Sequence, residues 1–465
     1  MSKLDLLIVA AYMIGIVAAG FWARRKVDTQ EQFLVAGRSV GAGLYAGTLA
    51  AIVLGGASTI GGVKLGYQYG VSGMWFVFML GLGILVLSAV LVERILGLKL
   101  YTVPELLERR YSVSARIAGG AVMVGYDLMV SVTATIAVGS VMEVIVGIPR
   151  TPAILISSLV MVGYSVLGGM WSLTLTDIIQ FVIKTIGIFF ILLPGAILHA
   201  GGLAQMHARL PPQYFSLLHI GPARILTLFV LYFFGIIIGQ DVWQRVFTAR
   251  SVTVARNGGI AVGLYCICYA LAGALIGAAG RVFLPPLTDG DLAYAQIVNA
   301  VLPIGLRGLV LAAALAAIMS TASACLVAAS TVLLEDVYLR VRRTSGAGTV
   351  TQSRSITLIL GVAMTVLSCA LHDVITALTV AYDLLVGGLL VPLVGAIFLP
   401  RVRKSAAIAS IALGSALVIA FLVMKGPDSE LPIYAGLAGS LLAFALTSLA
   451  AAGAHARTVA ERGQP

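Results

Sequence analysis

Leu54-Gly55-Gly56-Ala57-Ser58-Thr59-Ile60-Gly61-Gly62 lies in the middle of an apolar run extending from about Leu44 to Tyr69. Four glycines and two hydroxyl residues weaken a helix at a depth where lipid tolerates no unpaired backbone. A break there is stable where the freed carbonyls line a cavity or hold an ion. The other reading is an unbroken helix whose small residues let a neighbour approach closely. Both readings put the run inside a membrane.

Outward from this stretch the rest of the chain agrees. Of 465 residues, 60% are hydrophobic and only 11% charged, and the mean hydropathy is +1.04. Soluble chains carry about a quarter charged residues. At roughly 20 apolar residues per span there is room for a dozen or more helices, and the 52 glycines suit close helix packing. The expected fold is an all-α integral membrane protein of about thirteen transmembrane helices. The first helix is placed at about 4–22 and peripheral helices at about 405–452, with one transmembrane domain over 1–455 and a short cytoplasmic tail at 456–465. The net charge of +11 does not signal nucleic acid, because the basic residues sit in short loops and act as topology determinants. Arg24, Arg25, Lys26, Arg38, Arg94, Lys99, Arg109, Arg110, Arg340, Arg342, Arg343, Arg401, Arg403 and Lys404 fall on one side. Lys3, Arg150, Arg209, Arg224, Arg281, Arg307 and Lys425 make the sparser other side. The positive-inside rule then puts the N-terminus outside and the C-terminus in the cytoplasm, in the cell membrane.

Cys266, Cys268, Cys325 and Cys369 lie in apolar stretches and read as buried thiols, without the spacing of a zinc site. The histidines, His199, His207, His219, His372 and His455, are scattered and mostly near loops. Neither set supports an enzyme or a cofactor. Asp289–Ala300 reads as a short amphipathic surface helix.

Ionisable residues within spans are functional hypotheses by default. Asp177 falls early in the sixth span, where a helix cap is the plain alternative. Lys184 lies about ten residues into that span, roughly 15 Å along its axis and near mid-membrane. It either pairs permanently with Asp127 or Asp383, or selects a solute bearing a carboxylate. Lys64, toward the outer end of the second span, is expected to snorkel to the interface. In the ninth span Met319-Ser320-Thr321-Ala322-Ser323 offers adjacent neutral hydroxyls. Carbonyls with neutral hydroxyls suit sodium, whereas back-bonding to the preceding turn is the ordinary role of such residues. Phe233-Phe234-Gly235 and Gly239-Gln240-Asp241 interrupt the seventh span.

Taken together these pieces resemble the sodium/solute symporter family. The segments carrying the resemblance, in family order, are Phe33-Leu-Val-Ala-Gly37-Arg38-Ser39, the broken run ending Gly66-Tyr67-Gln68-Tyr69-Gly70, and Thr102-Val-Pro104-Glu105 through Tyr111. Further on come Tyr164 to Gly168-Gly169, Thr176-Asp177-Ile-Ile-Gln180, Gln240-Asp241-Val-Trp243-Gln244-Arg245 and Ala316-Ala317-Ile-Met319-Ser320-Thr321-Ala-Ser323. The resemblance implies a LeuT-type inverted repeat of two five-helix units with broken second and seventh helices. The repeats would lie at about 42–198 and 223–399. It also implies a sodium site formed by the carbonyls of Ala51, Leu54 and Ala317 and the hydroxyls of Ser320 and Thr321. Asp177 and Ser323 match a possible second sodium or gating position, but Ala324 stands where members with the full site carry a hydroxyl. The implied substrate pocket takes in Val53, Ala57, Ser58, Phe76, Tyr232, Phe234, Gly235 and Lys184. Val53, Ser58 and Val77 stand where sugar carriers present polar groups, and Ala57 and Val53 where proline carriers present a tryptophan and an aspartate.

The resulting expectation is sodium-coupled symport of a small organic solute, carboxylate-bearing if Lys184 faces it: a monocarboxylate, an amino acid or a related organic acid. Its partners are the solute, the sodium ion and membrane lipid, with no nucleic acid and no obligate protein partner evident. The rival of the same kind is a proton-coupled carrier. A channel would show a repeated pore ring, and a sensor would add a soluble signalling domain.

Overall fold

The computed structural model describes residues 2–23, 25, 28–287, 289–343, 348–371, 373–399, 403–427 and 429–462. Arg24, Lys26, His372, Arg401 and residues 463–465 of the tail lie outside the described residues. Among the described residues every regular element is helical. Ten helices are long and apolar enough to cross a membrane, or eleven if the bent pair Pro222–Ile238 and Gln240–Thr248 is one span. Length and composition thus return fewer spans than the thirteen expected. Ala42–Val53 is too short to pass by itself, and Ala57–Gly97 passes as one stretch although it contains a turn at Gly70–Met74.

The helices used below are α1 (Lys3–Ala23), α2 (Ala42–Val53), α3 (Gly62–Tyr69), α4 (Trp75–Val86), α5 (Val113–Val146), α6 (Arg150–Thr185), α7 (Phe234–Ile238), α8 (Gln240–Thr248), α9 (Val252–Phe283), α10 (Leu306–Val332), α11 (Val350–Ala370) and α12 (Val374–Phe398). At the centre stands α10, whose apolar window is 100% buried inside the protein, against 28% for the outer helix Lys404–Lys425. Its small residues, Ala312, Ala313, Ala314, Ala316 and Ala317, allow α5 and α6 to pack closely on it. Asp5 of α1 fixes the start of α10 by accepting the N–H groups of Gly305 at 2.7 Å and Gly308 at 3.0 Å.

α9 lies directly on α3 and α4. Close approach requires glycine here, since a Cβ on Gly277 would sit 2.2 Å from the Val63 carbonyl oxygen. At Gly168-Gly169 the stretch labelled α6 divides into two apolar spans, Arg150–Leu167 and Gly169–His199, with Gly169 at φ 50° and ψ −142°. A side chain at Gly169 would meet the Phe33 ring at 2.6 Å.

Three expectations are corrected. Lys64 does not snorkel: its ammonium is held by Asp291 at 3.1 Å and Asp373 at 2.8 Å. Those carboxylates come from sequence-distant elements, which local reasoning about α3 could not supply. Asp289–Ala300 is not a surface helix, because Ala293, Tyr294, Ala295, Ile297 and Val298 of the helix Ala293–Val301 are all buried. Of the four cysteines, Cys266 and Cys325 are buried, Cys369 is intermediate and Cys268 is exposed.

Candidate functional site

The glycine-rich run is broken. α2 ends at Val53, Leu54 leaves helical geometry at φ −100° and ψ 59°, and the chain rewinds through the wide turn Ala57–Gly61 into α3. Ending a helix frees its last carbonyls, which must find partners when water is absent. Four successive carbonyls here are each met by a side chain. Ser320 Oγ approaches the Ala51 oxygen at 3.1 Å, and Thr321 Oγ1 donates to Ile52 at 2.9 Å. Ser58 Oγ donates to Val53 at 2.7 Å, and Lys184 Nζ donates to Leu54 at 2.7 Å.

The contacts of Ser320 indicate what chemistry the cleft suits. Its Oγ also lies 2.8 Å from the carbonyl oxygen of Ala317. One hydroxyl carries one hydrogen, so it cannot donate to both carbonyls at once. Three oxygens, from Ala51, Ala317 and Ser320, therefore converge with a single hydroxyl proton among them, the Ala317 carbonyl also taking its ordinary bond within α10. Such a cluster favours a small cation. Of the expected sodium ligands, Leu54 departs from this picture, since its carbonyl faces the Lys184 ammonium. Thr321 sits beside the cluster with its hydroxyl on Ile52.

Lys184 is 1% exposed. Among the described residues it makes no ion pair, so the expected pairing with Asp127 or Asp383 is replaced by carbonyl contacts and by the Tyr269 ring, 5.9 Å away. A buried ammonium is costly, and hydrogen bonds to a charged donor together with a cation–π contact offset part of that cost. Both carboxylate oxygens of Asp127 are buried without a hydrogen-bond partner.

Asp177 is not a helix cap. Its carboxylate accepts from Thr48 of α2 and pairs with Arg245 of α8 at 3.3 Å, both partners being fully buried. Ser323, expected beside it, back-bonds to Met319 at 2.8 Å and Ser320 at 3.2 Å. The expected interruption of the seventh span is the break at Gly239, ψ 133°, between α7 and α8. Trp243 Nε1 caps the carbonyl freed at Ile237 at 2.7 Å.

Between the two breaks lies a small cavity, ≈ 30 Å³ for water-sized occupants, walled in part by Val53, Ala57, Ser58, Thr321, Asp241 and Tyr382. Three of the expected pocket residues, Val53, Ala57 and Ser58, are on its wall. The other five are not. Phe76 stands edge-on to Tyr232, at 4.7 Å between ring centres, and Tyr232 edge-on to Tyr382 at 4.9 Å. Gly235 supports Tyr382 from behind, since a Cβ there would lie 2.2 Å from its ring. Phe234 packs with Phe229 and Phe233, and Lys184 lies at the α2 end. Asp241 and Tyr382 were not singled out as pocket residues. The signal for Asp241 was present: an acid in the first turn after a mid-membrane break.

A model of the sodium:solute symporter family matches residues 33–414. The sodium/pantothenate symporter of Escherichia coli (strain K12) is 28% identical over 458 residues, covering 93% of this chain and 94% of that one. The sodium/glucose cotransporter of Vibrio parahaemolyticus is 27% identical over 391 residues, covering 73% and 69%. Among solved structures, a Na+-coupled sialic acid symporter in a substrate-bound outward-open state matches with a TM-score of 0.78 at 18% identity, covering 96% of this chain and 98% of that chain. The fold is the LeuT type.

Proposed function

The chain belongs to the sodium:solute symporter family, and from that premise we propose that it imports a small organic solute by alternating access, driven by sodium. The observation that carries this reading is the convergence of the Ala51 and Ala317 carbonyls on Ser320, at the point where α2 breaks against α10. The solute lies in the neighbouring cavity, which at ≈ 30 Å³ must widen to take it. Rocking of one repeat against the other supplies that widening in this fold. In this reading the chain sits in the cell membrane with about thirteen spans, the N-terminus outside, and repeats at about 42–198 and 223–399.

The substrate class shifts with the geometry. A carboxylate was expected on the premise that Lys184 faces the solute, but its ammonium points at backbone carbonyls. The carboxylate on the cavity wall is Asp241, accompanied by the hydroxyls of Ser58, Thr133 and Thr321. This set favours a solute that donates hydrogen bonds, through an amine or hydroxyl, over one that presents an acid.

Replacing Ser320 with alanine is expected to raise the half-saturating sodium concentration for uptake, by an amount corresponding to about 1–3 kcal/mol for one lost buried polar contact. Thr321→Ala should act less strongly, through Ile52. The measurement is solute uptake into proteoliposomes across a sodium series balanced with choline at fixed pH. Unchanged sodium dependence in both variants would rule the site out. Uptake that persists in choline and follows a pH gradient would favour a proton-coupled carrier.

A further inference from the structure

The side chain closest in kind to a sodium ion is already in the cleft. Lys184 ends in a unit positive charge, and its Nζ lies 2.7 Å from the Leu54 carbonyl and 3.5 Å from that of Ala50. These two carbonyls flank, along the chain, the Ala51 oxygen that faces Ser320. We propose that the Lys184 ammonium is a tethered cation that competes with sodium for the cleft between α2 and α10, so that sodium binds fully only when Lys184 withdraws from Leu54. This rests on the reading of that cleft as the coupling-ion site.

Three observations support it. First, the Leu54 carbonyl, the closer of the two that hold Lys184, is open to a cation because α2 stops at Val53, whereas that of Ala50 still accepts the Leu54 N–H at 3.1 Å. In an unbroken helix the Leu54 carbonyl would be committed to a backbone N–H group. Second, Lys184 has no carboxylate within ion-pair distance among the described residues, so nothing but neutral oxygens and a ring compensates its charge at short range. From its own helix the ionised neighbour is Asp177, two turns earlier and already committed to Arg245. From α9 come Cys266 and Tyr269, and from α10 the neutral hydroxyls Ser320 and Thr321. Third, two positive charges sharing one small buried cleft repel strongly at low dielectric. Lysine and sodium are therefore alternatives there. Lys184 also stands at the last turn of α6, directly before a wide-turn segment, Ile186–Leu192. Such loosened turns recur where helices adjust during function.

The test is the thermal stability of the purified full chain as a function of sodium chloride, with choline chloride holding ionic strength constant. A bound ion stabilises by mass action. The proteins compared are the parent, Lys184→Met, Ser320→Ala, and the Lys184→Met/Ser320→Ala pair. Expected is a sodium-specific stabilisation in Lys184→Met with an apparent affinity at least about tenfold tighter than the parent's, weakened again by adding Ser320→Ala. If Lys184→Met does not fold, Lys184→Gln keeps a donor for Leu54 without the charge and is read in the same way. Equal sodium affinity in the parent and the lysine variant, with Ser320→Ala weakening both, overturns the competition and leaves the sodium site standing. No sodium response in any of the four, with uptake undiminished in choline, overturns the site itself and the competition with it.

Discussion

Arg245→Met is expected to destabilise the protein by about 3–5 kcal/mol, the usual cost of stranding one partner of a buried ion pair. Arg245 and Asp177 are both 0% exposed, and their closest atoms lie 3.3 Å apart. Without the guanidinium, Asp177 keeps only the Thr48 hydroxyl to stabilise a charge that has no water around it. Asp177→Asn should be nearly as harmful, since it leaves Arg245 charged beside the Met170 sulfur. The combination Arg245→Met/Asp177→Asn should be milder than the sum of its parts, because it removes both charges together. Thermal midpoints of the purified variants, with surface expression as a second readout, give the comparison. Single variants that melt with the parent would mean that the pair holds nothing together. The pair also bears on the second-sodium position. Through Thr48, Asp177 ties α2 to α6, and through Arg245 it ties both to α8. A cation at Asp177 would have to displace Arg245.

How much of this was legible in the sequence depended on whether the deciding interaction was local. The break in the second helix could be read from Leu54 to Gly62, because helix propensity and the demand for paired backbone act over a few residues. The interruption at Gly239 was visible for the same reason. The depth of Lys184 followed from counting residues, but its direction did not. A rotation of α6 by part of a turn decides between Asp127, Asp383 and the Leu54 carbonyl, and tertiary packing sets that rotation. Lys64 failed in the same way, since Asp291 and Asp373 lie far along the chain from it. The Asp177–Arg245 pair spans 68 positions. Each residue sits in a motif quoted for the resemblance, yet nothing in either segment announces the other. The aromatic series Phe76, Tyr232, Tyr382 and Tyr126 shows why only three of the eight expected pocket residues line the cavity. The rings pack edge-to-face on one another, and among the cavity's wall residues only Tyr382 of the four is found.

The cleft itself carries a sharp geometric constraint at Gly55, and Gly55→Ala is expected to abolish transport while leaving an inserted protein. A Cβ built there would lie 1.9 Å from Thr321 Oγ1, 2.5 Å from its Cβ and 3.0 Å from its Cγ2. Rotating the threonine relieves the first contact but not the second, so the end of α2 and the face of α10 must move apart. Separation draws Thr321 off Ile52 and Ser320 off Ala51, undoing two of the four bonds that answer the freed carbonyls. Overpacking of this kind typically costs about 1–3 kcal/mol of stability, which a large buried helix bundle survives. The loss therefore falls on the cleft and leaves the fold in place. Gly56→Ala is the matched control: its nearest contacts, Ala137 Cβ and Ile318 Cγ2, are both at 3.1 Å, so neighbouring side chains need give by only a few tenths of an ångström. Uptake and sodium-dependent stabilisation should both disappear in Gly55→Ala and both persist in Gly56→Ala, at comparable expression. Transport by Gly55→Ala at the parent rate would show that α2 and α10 do not meet at this distance during the cycle, and that the cation cleft lies elsewhere.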